Sequence, residues 1–299
     1  MNAAKKQAVQ SVRVRESIGD RVFGTVNYAL LTLFFILILF PLVHMLVVSV
    51  SDANLVLRGE ITFIPRGINF RCYSALLNGS DIPNAYVNTL KYTITGVLID
   101  VVMTALCAYP LSRPSFFGRK FFNFIVVFTM LFNVGLVANF MVVYDLGLKN
   151  SIWAIVLPGA INVYYMVIMR TFFQGIPEEL HQSAYVDGAN DLRIFLQIIL
   201  PISSPVIATM FLFYAVGHWN SFMPALLYLD HKNMYPVQLI LRNIVISGTV
   251  SDSATSDVAF MTQGVKYAAI FVTIVPILFV YPFVQKYFTK GIMVGSLKG

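Results

Sequence analysis

Six long apolar blocks, separated by shorter polar segments, organise the 299-residue chain. They run over Phe23–Val50, Ala85–Leu111, Phe121–Tyr144, Ser151–Phe173, Ser203–Leu229 and Val265–Tyr287. An α-helix needs about 20 consecutive apolar residues to cross about 30 Å of hydrocarbon, and each block has that length. The pattern predicts an all-α membrane protein with six transmembrane helices. The first block follows basic residues near the N-terminus, which is also the layout of a signal peptide. The apolar core of a signal peptide is only about 7–15 residues long and ends at a small-residue cleavage site. Here the run YALLTLFFILILFPLVHMLVVSV is longer and no such site follows it. It reads as an uncleaved first span.

Composition agrees with the pattern. Hydrophobic residues make up 58% and charged residues 12%, against about 45–50% and about 25% in soluble domains. The net charge of +7 does not mark a nucleic-acid partner. Its basic residues flank apolar blocks and do not interleave with aromatics on a soluble face. With the N-terminus inside, 13 of the 21 Lys and Arg residues fall on inner segments and 8 on outer ones. That bias places both termini of a multi-pass protein in the cytoplasm.

The resulting plan has five parts: a cytoplasmic segment 1–21, a first span 22–50, an extracytoplasmic loop 51–84, a five-helix core 85–288 and a cytoplasmic tail 289–299. A second long outer segment, Asp230–Gly264, contains an apolar-periodic piece, Pro236–Ile246. Loops longer than about 15 residues are more often functional or disordered than idle. A docking surface for an extracytoplasmic partner and a plain linker stand as equal readings. Cys72 and Cys107 lack metal-ligand spacing and read as unreactive fillers.

The inner loop 175–201 carries the most chemistry: GIPEELHQSAYVDGANDLRIFLQIILP. Pro177 suits the first position of a helix, and Glu178 and Glu179 suit the positive end of its dipole. The helix is predicted to run to Asp187 and close at Gly188, which tolerates a left-handed conformation. Asn190 suits the cap of a second helix, Asp191–Leu200, ended by Pro201. On the first helix Leu180, Ala184 and Asp187 share one face, with His181, Gln182 and Tyr185 elsewhere. Ser183 and Ala184 are small enough to let another protein approach the backbone. An ordinary amphipathic helix lying at the interface is the competing reading.

The same residues resemble the cytoplasmic signature of permease subunits of bacterial ATP-binding-cassette importers: EAA, three residues, G, nine residues, I, one residue, LP. Gln182-Ser183-Ala184 takes the EAA place, Gly188 the glycine, and Ile198, Leu200 and Pro201 follow at the matching spacing. ELHQSAYVDGA is similar to the ELEEAARIDGA of carbohydrate-uptake permeases. Trp219-Asn220-Ser221-Phe222-Met223-Pro224 resembles their W-N-x-F-x-P segment. PILFVYPFVQKYFTKGIMVGSLKG, Pro276 to Gly299, resembles the ending of subunits similar to the maltose-transporter G subunit, nearest to permeases for aldouronate and alginate. The chain is identified as a member of this group over residues 20–299, with two departures, Gln182 for the signature glutamate and Ser183 for its first alanine.

The resemblance implies a type I importer permease fold with a cytoplasmic coupling helix. It implies four kinds of partner: a second homologous permease, two ATPase subunits, an extracytoplasmic solute-binding protein and a saccharide substrate. Contact with the ATPase would fall on Glu179, Gln182, Ser183, Ala184, Asp187 and Gly188, and on Lys290, Gly291, Gly295 and Lys298 of the tail. No G-x-x-x-x-G-K-[ST] sequence occurs, so ATP and magnesium are expected on the partner ATPases and no cofactor, metal or catalytic residue on this chain.

Polar groups inside spans are candidates for the solute path because burying them is expensive. Asp100 either lines that path or pairs with a basic group on a neighbouring helix. Lys91, nine residues earlier, lies about 180° round the same helix and cannot be that partner. Asn133 and Asn220 read as interhelical glue or as ligands. Tyr214 and Trp219, with Tyr164, Tyr165 and Phe213, either stack on sugar rings or pack helices. His44 reads as a packing or hydrogen-bonding residue. A secondary transporter would show inverted repeats, and a membrane enzyme would cluster its histidines. Neither pattern is evident.

Overall fold

A computed structural model describes residues 17–279, apart from 53–54, 57, 80, 133 and 248–263. The described residues form helices, turns and loops, and no strand. Helix α1 spans Ile18–Val50. A reciprocal cap sets its start: the Asp20 N–H donates to Ser17 Oγ at 3.2 Å, and the Ser17 N–H donates to Asp20 Oδ2 at 2.9 Å. Two otherwise open donors are thereby satisfied. Apolar side chains such as Phe34 and Ile38 remain exposed around most of α1, as expected of a helix facing lipid or another membrane chain. Only its C-terminal end is buried, where Val47 and Val48 pack with Ile61 and Tyr267. There His44 Nδ1 lies 3.0 Å from the Thr62 carbonyl.

Within the outer segment lies α2, Arg71–Gly79, followed by α3, Ile82–Ser112. Helices α1 and α3 are each long and apolar enough to cross a membrane unaided. The next three blocks are each broken. The third holds α4, Arg119–Leu131, and α5, Gly135–Asp145. The fourth holds α6, Ile152–Val156, with a tighter turn to Gly159, and then α7, Val163–Gln174, at 52° to it. Pro158 and Gly159 sit at this break, where proline removes a helix donor and glycine weakens the helix. After α8, Glu178–Val186, helix α9, Asp191–Ile202, meets α10, Ser204–Asn220, at 80°. With each bent pair taken as one span, the described residues hold up to five spans.

The chain continues through α11, Met223–Tyr228, and α12, Val237–Ser247. It reaches α13, Gly264–Phe279, where the sixth block begins. The remainder of that block, and the tail with Lys290, Gly291, Gly295 and Lys298, lie outside the described residues.

Pro201 does not end α9 as the sequence predicts. Residues Phe195–Ile199 widen into a π-turn in which the Leu200 N–H bonds to the Phe195 carbonyl. That wider turn absorbs the missing proline donor, and the break falls at Ser203 instead.

Helix α3 is the hub and packs chiefly against α10 and α7. Ala105 and Ala108 on α3 are fully or almost fully buried, and such small side chains let membrane helices approach closely. Met166, Met169, Ile194 and Met210 complete this core. At its outer end α3 carries Asn84, Asn88, Thr89 and Tyr92. Asn84 and Asn88 donate to the Asn233 carbonyl at 2.6 and 2.7 Å, and Tyr92 donates to the Met234 carbonyl at 2.8 Å. Thr89 Oγ1 accepts from the Val237 N–H at 2.8 Å. The start of the second outer segment is thus pinned to α3, and the predicted apolar piece folds as α12. Cys72 is buried and uncrosslinked, with Gly264 close enough that a Cβ would lie 3.0 Å from its sulfur.

Candidate functional site

Two polar constellations depend on α3, one at its C-terminal end and one near its middle. At the C-terminal end Arg113 follows directly after the helix. Its Nη1 and Nη2 donate to Glu178 Oε2 and Oε1 at 2.8 and 2.7 Å. This paired geometry fixes α8 to α3 and is stronger than a single-point contact. Arg113 draws the Glu178 carboxyl below its ordinary range.

The inward face of α8 consists of His181 and Ala184, both buried. The His181 ring stacks on Tyr109 at 6.3 Å, and neither ring nitrogen has a hydrogen-bond partner among the described residues. Burial lowers its pKa, and Arg113 adds to that lowering. The sequence reading placed His181 away from the face shared by Leu180 and Ala184. The structure pairs His181 with Ala184 inward and leaves Leu180 exposed. The reason is the aromatic shelf of Tyr109 and Phe195 beneath the helix. Ala184 therefore serves internal packing, while Glu179, Gln182, Ser183, Asp187 and Gly188 form the exposed side.

The helix closes by hydrogen-bonding its last carbonyls. The Gly188 N–H bonds to the Tyr185 carbonyl at 3.0 Å and the Ala189 N–H to the Ala184 carbonyl at 2.9 Å. Gly188 has φ +78°, the left-handed conformation this closure requires. Asn190 Oδ1 accepts from the Arg193 N–H at 2.9 Å, and Tyr185 OH donates to Asp191 across the turn. The predicted helix–glycine–helix is present.

Both titratable groups on the inward side make this attachment acid-sensitive. A lowered folded pKa means that the unfolded state binds more protons as pH falls, so stability drops on acidification. The His181 share is complete above the ordinary histidine value of about 6.5 and fades below it. The Glu178 share is complete above the ordinary glutamate value of about 4.3 and is lost as pH falls from there through its lowered value. Hydrogen-exchange protection at 178–190, taken relative to the intrinsic rate at each pH, should fall from about pH 6.5 downward, and His181→Phe should remove the upper phase. An unchanged upper phase in that variant would refute the assignment.

Near the middle of α3, Asp100 Oδ2 accepts from His218 Nε2 of α10 at 2.7 Å. Asp100 is 1% exposed. This is the neighbouring-helix pairing that the sequence left open, and its partner is a histidine that the sequence reading did not single out. Gly96, one turn before Asp100, makes the space, since a Cβ there would lie 2.4 Å from His218 Nε2. A glycine four residues from the only acid well inside a span was the available signal.

The pair lines a cavity of about 360 Å³ between the α6–α7 break and the ends of α10 and α11, which also exposes Asn162, Tyr165, Phe213 and Tyr228. Tyr214 OH lies 2.6 Å from Thr104 Oγ1 and accepts from the Asn162 N–H at 3.0 Å. Irregular backbone at membrane depth is tolerated where it is buried or lines a cavity. The bend at 157–162 does the latter.

Asp100 and Tyr214 thus meet at one cavity, and Trp219 and Asn220 do not line it. Trp219 Nε1 donates to the Thr273 carbonyl at 3.4 Å and binds α10 to α13. Asn220 donates to the Val216 carbonyl of its own helix. Asn133 lies outside the described residues. No group of three or more metal-binding side chains occurs among the described residues.

Comparison with known proteins extends these observations. The family described as binding-protein-dependent transport system inner membrane component matches residues 100–294. The polygalacturonan/rhamnogalacturonan transport system permease protein YtcP of Bacillus subtilis is 39% identical over 287 residues, 94% of this chain and 99% of that protein. The diacetylchitobiose uptake system permease protein NgcG of Streptomyces coelicolor is 27% identical over 289 residues, 93% of this chain and 90% of that protein. A crystal structure of a bacterial ABC transporter involved in the import of the acidic polysaccharide alginate contains a chain 33% identical. The match covers 91% of this chain and 99% of that one, with a TM-score of 0.86. A helical chain with several apolar helices, a capped helix at 178–186 and this breadth of similarity belongs to the family of binding-protein-dependent transport system inner membrane components.

Proposed function

We propose that this chain is the permease subunit of an ATP-driven importer for saccharides, with acidic oligosaccharides the favoured class. It crosses the membrane six times with both termini in the cytoplasm. It works with a second permease, two ATPase subunits that hold ATP and magnesium, and an extracytoplasmic binding protein. The observation that carries the reading is the attachment of α8 to α3. Through Arg113–Glu178, α8, which ends at the exposed turn at Gly188, is joined to α3, which carries Asp100 at the cavity.

Glu179, Gln182, Ser183, Asp187 and Gly188 then form the seat for the ATPase, and Lys290, Gly291, Gly295 and Lys298 of the tail add to it. Movement of α8 passes through Arg113–Glu178 and through His181 against Tyr109 into α3. From there it reaches the Asp100–His218 contact with α10 and reshapes the cavity wall. The aromatic lining of Tyr165, Phe213 and Tyr228 suits sugar faces, which stack on such rings. The relatives that carry acidic polysaccharides support the acidic class.

Reconstitution of the complete importer tests this reading. Binding protein loaded with galacturonate or mannuronate oligomers should stimulate ATP hydrolysis and uptake. Stimulation by amino acids alone, with no response to any saccharide, would overturn it.

A further inference from the structure

Outside the two constellations, the inner ends of α4 and α7 enclose a cavity of about 780 Å³ lined by Arg119, Lys120, Asn123, Arg170 and Gln174. No carboxylate lines it. The nearest carboxylate on the neighbouring hollow, Glu178, is already engaged by Arg113. Arg170 gives one hydrogen bond to Asn123, while its Nε is buried without a partner among the described residues.

Arg119 and Lys120 also occupy the first turn of α4, which has no acidic residue and no side-chain cap. Cations at that end oppose the helix dipole, whereas an anion there is favoured. The cluster is therefore electrostatically incomplete.

Its surroundings indicate what completes it. None of the α4 residues is buried, and Phe117 and Phe121, next in sequence to the lining residues Phe116, Gly118 and Lys120, are 94% and 63% exposed. An occupant must bring negative charge to the cations and apolar surface to those rings. The inner leaflet carries anionic lipids, and basic pockets between transmembrane helices on the cytoplasmic side hold their head groups.

We infer that this cavity binds the phosphate of an anionic phospholipid of the inner leaflet, with its acyl chains along the phenylalanine face of α4. This site is independent of the transported solute. It lies beside the coupling attachment, because Pro114, Arg119 and Gln174 also line the hollow that reaches Arg113 and Glu178.

The test uses the whole importer in phosphatidylcholine nanodiscs containing a trace of photoactivatable phosphatidylglycerol. Label should map to peptides around 117–123 and 170–174. Lys120 is exposed, so Lys120→Gln should spare the fold and lower labelling about fivefold, and Arg119→Gln with Lys120→Gln about thirtyfold. Equal labelling by a phosphatidylcholine probe would show annular lipid only and overturn the inference. Displacement of the label by millimolar inorganic phosphate would assign the cavity to a soluble anion and overturn it too. Crosslinking of Lys120 to a partner subunit with no lipid label would do the same.

Discussion

Replacing His218 with alanine is expected to destabilise the protein by about 1–3 kcal/mol, the usual cost of leaving a buried polar group without its hydrogen-bond partner. Asp100 is 1% exposed, and His218 is the hydrogen-bond partner of its Oδ2. Its other oxygen has no partner among the described residues. Without the imidazole the buried carboxyl group loses its hydrogen-bond partner, and a buried polar group left unsatisfied costs more than the bond itself contributes. Gly96→Ala should act in the same way without touching either member. Its Cβ would lie 2.4 Å from Nε2 and must drive the ring off the carboxylate. Replacing both Asp100 and His218 with alanine removes the charge along with its partner. The double variant should lose less than the two single losses added together, which a double-mutant cycle reads directly. Unfolding of the purified complex in detergent supplies the measurement. Single-variant losses within about 1 kcal/mol of zero would show that the pair is not an essential link between α3 and α10.

The second large effect concerns coupling. Any L-residue at position 188 must adopt φ +78°, a strain of about 1–2 kcal/mol that depends little on side-chain size. No atom lies within 4 Å of a Cβ built there, so the isolated chain does not distinguish alanine from tryptophan by contact. On the proposed reading a partner closes over this turn, and bulk forced into a packed contact costs about 1–3 kcal/mol more. Gly188→Ala should retain most of the ATPase stimulation by loaded binding protein. Gly188→Trp should reduce it about tenfold or more at similar expression. Equal losses in both variants would point to strain alone and remove the turn from the ATPase contact.

Much of the molecule was legible in the chain. Apolar blocks showed the membrane class because crossing hydrocarbon requires length and apolarity, both local properties. The inner helix and its stop were legible at Gly188 and Asn190 because caps are satisfied by residues two or three positions away. The breaks were less legible. Pro158 and Gly159 interrupt the fourth block, but Pro201 is carried through by a π-turn, and such rearrangement depends on what packs around the helix. At the site, Asp100 stood out by the cost of its burial, while His218 did not, 118 residues away.

Sequence by itself determined the apolar helical class, the uneven placement of positive charge and the capped turn. Each follows from transfer energies, membrane-side charge bias or hydrogen bonds within a few residues. Tertiary structure alone decided that His181 faces inward, that Arg113 holds Glu178, that Gly96 houses the His218 ring, and that Trp219 binds helices away from the cavity. Those outcomes depend on which helix surfaces meet, and contacts between distant segments leave no periodic trace along the chain.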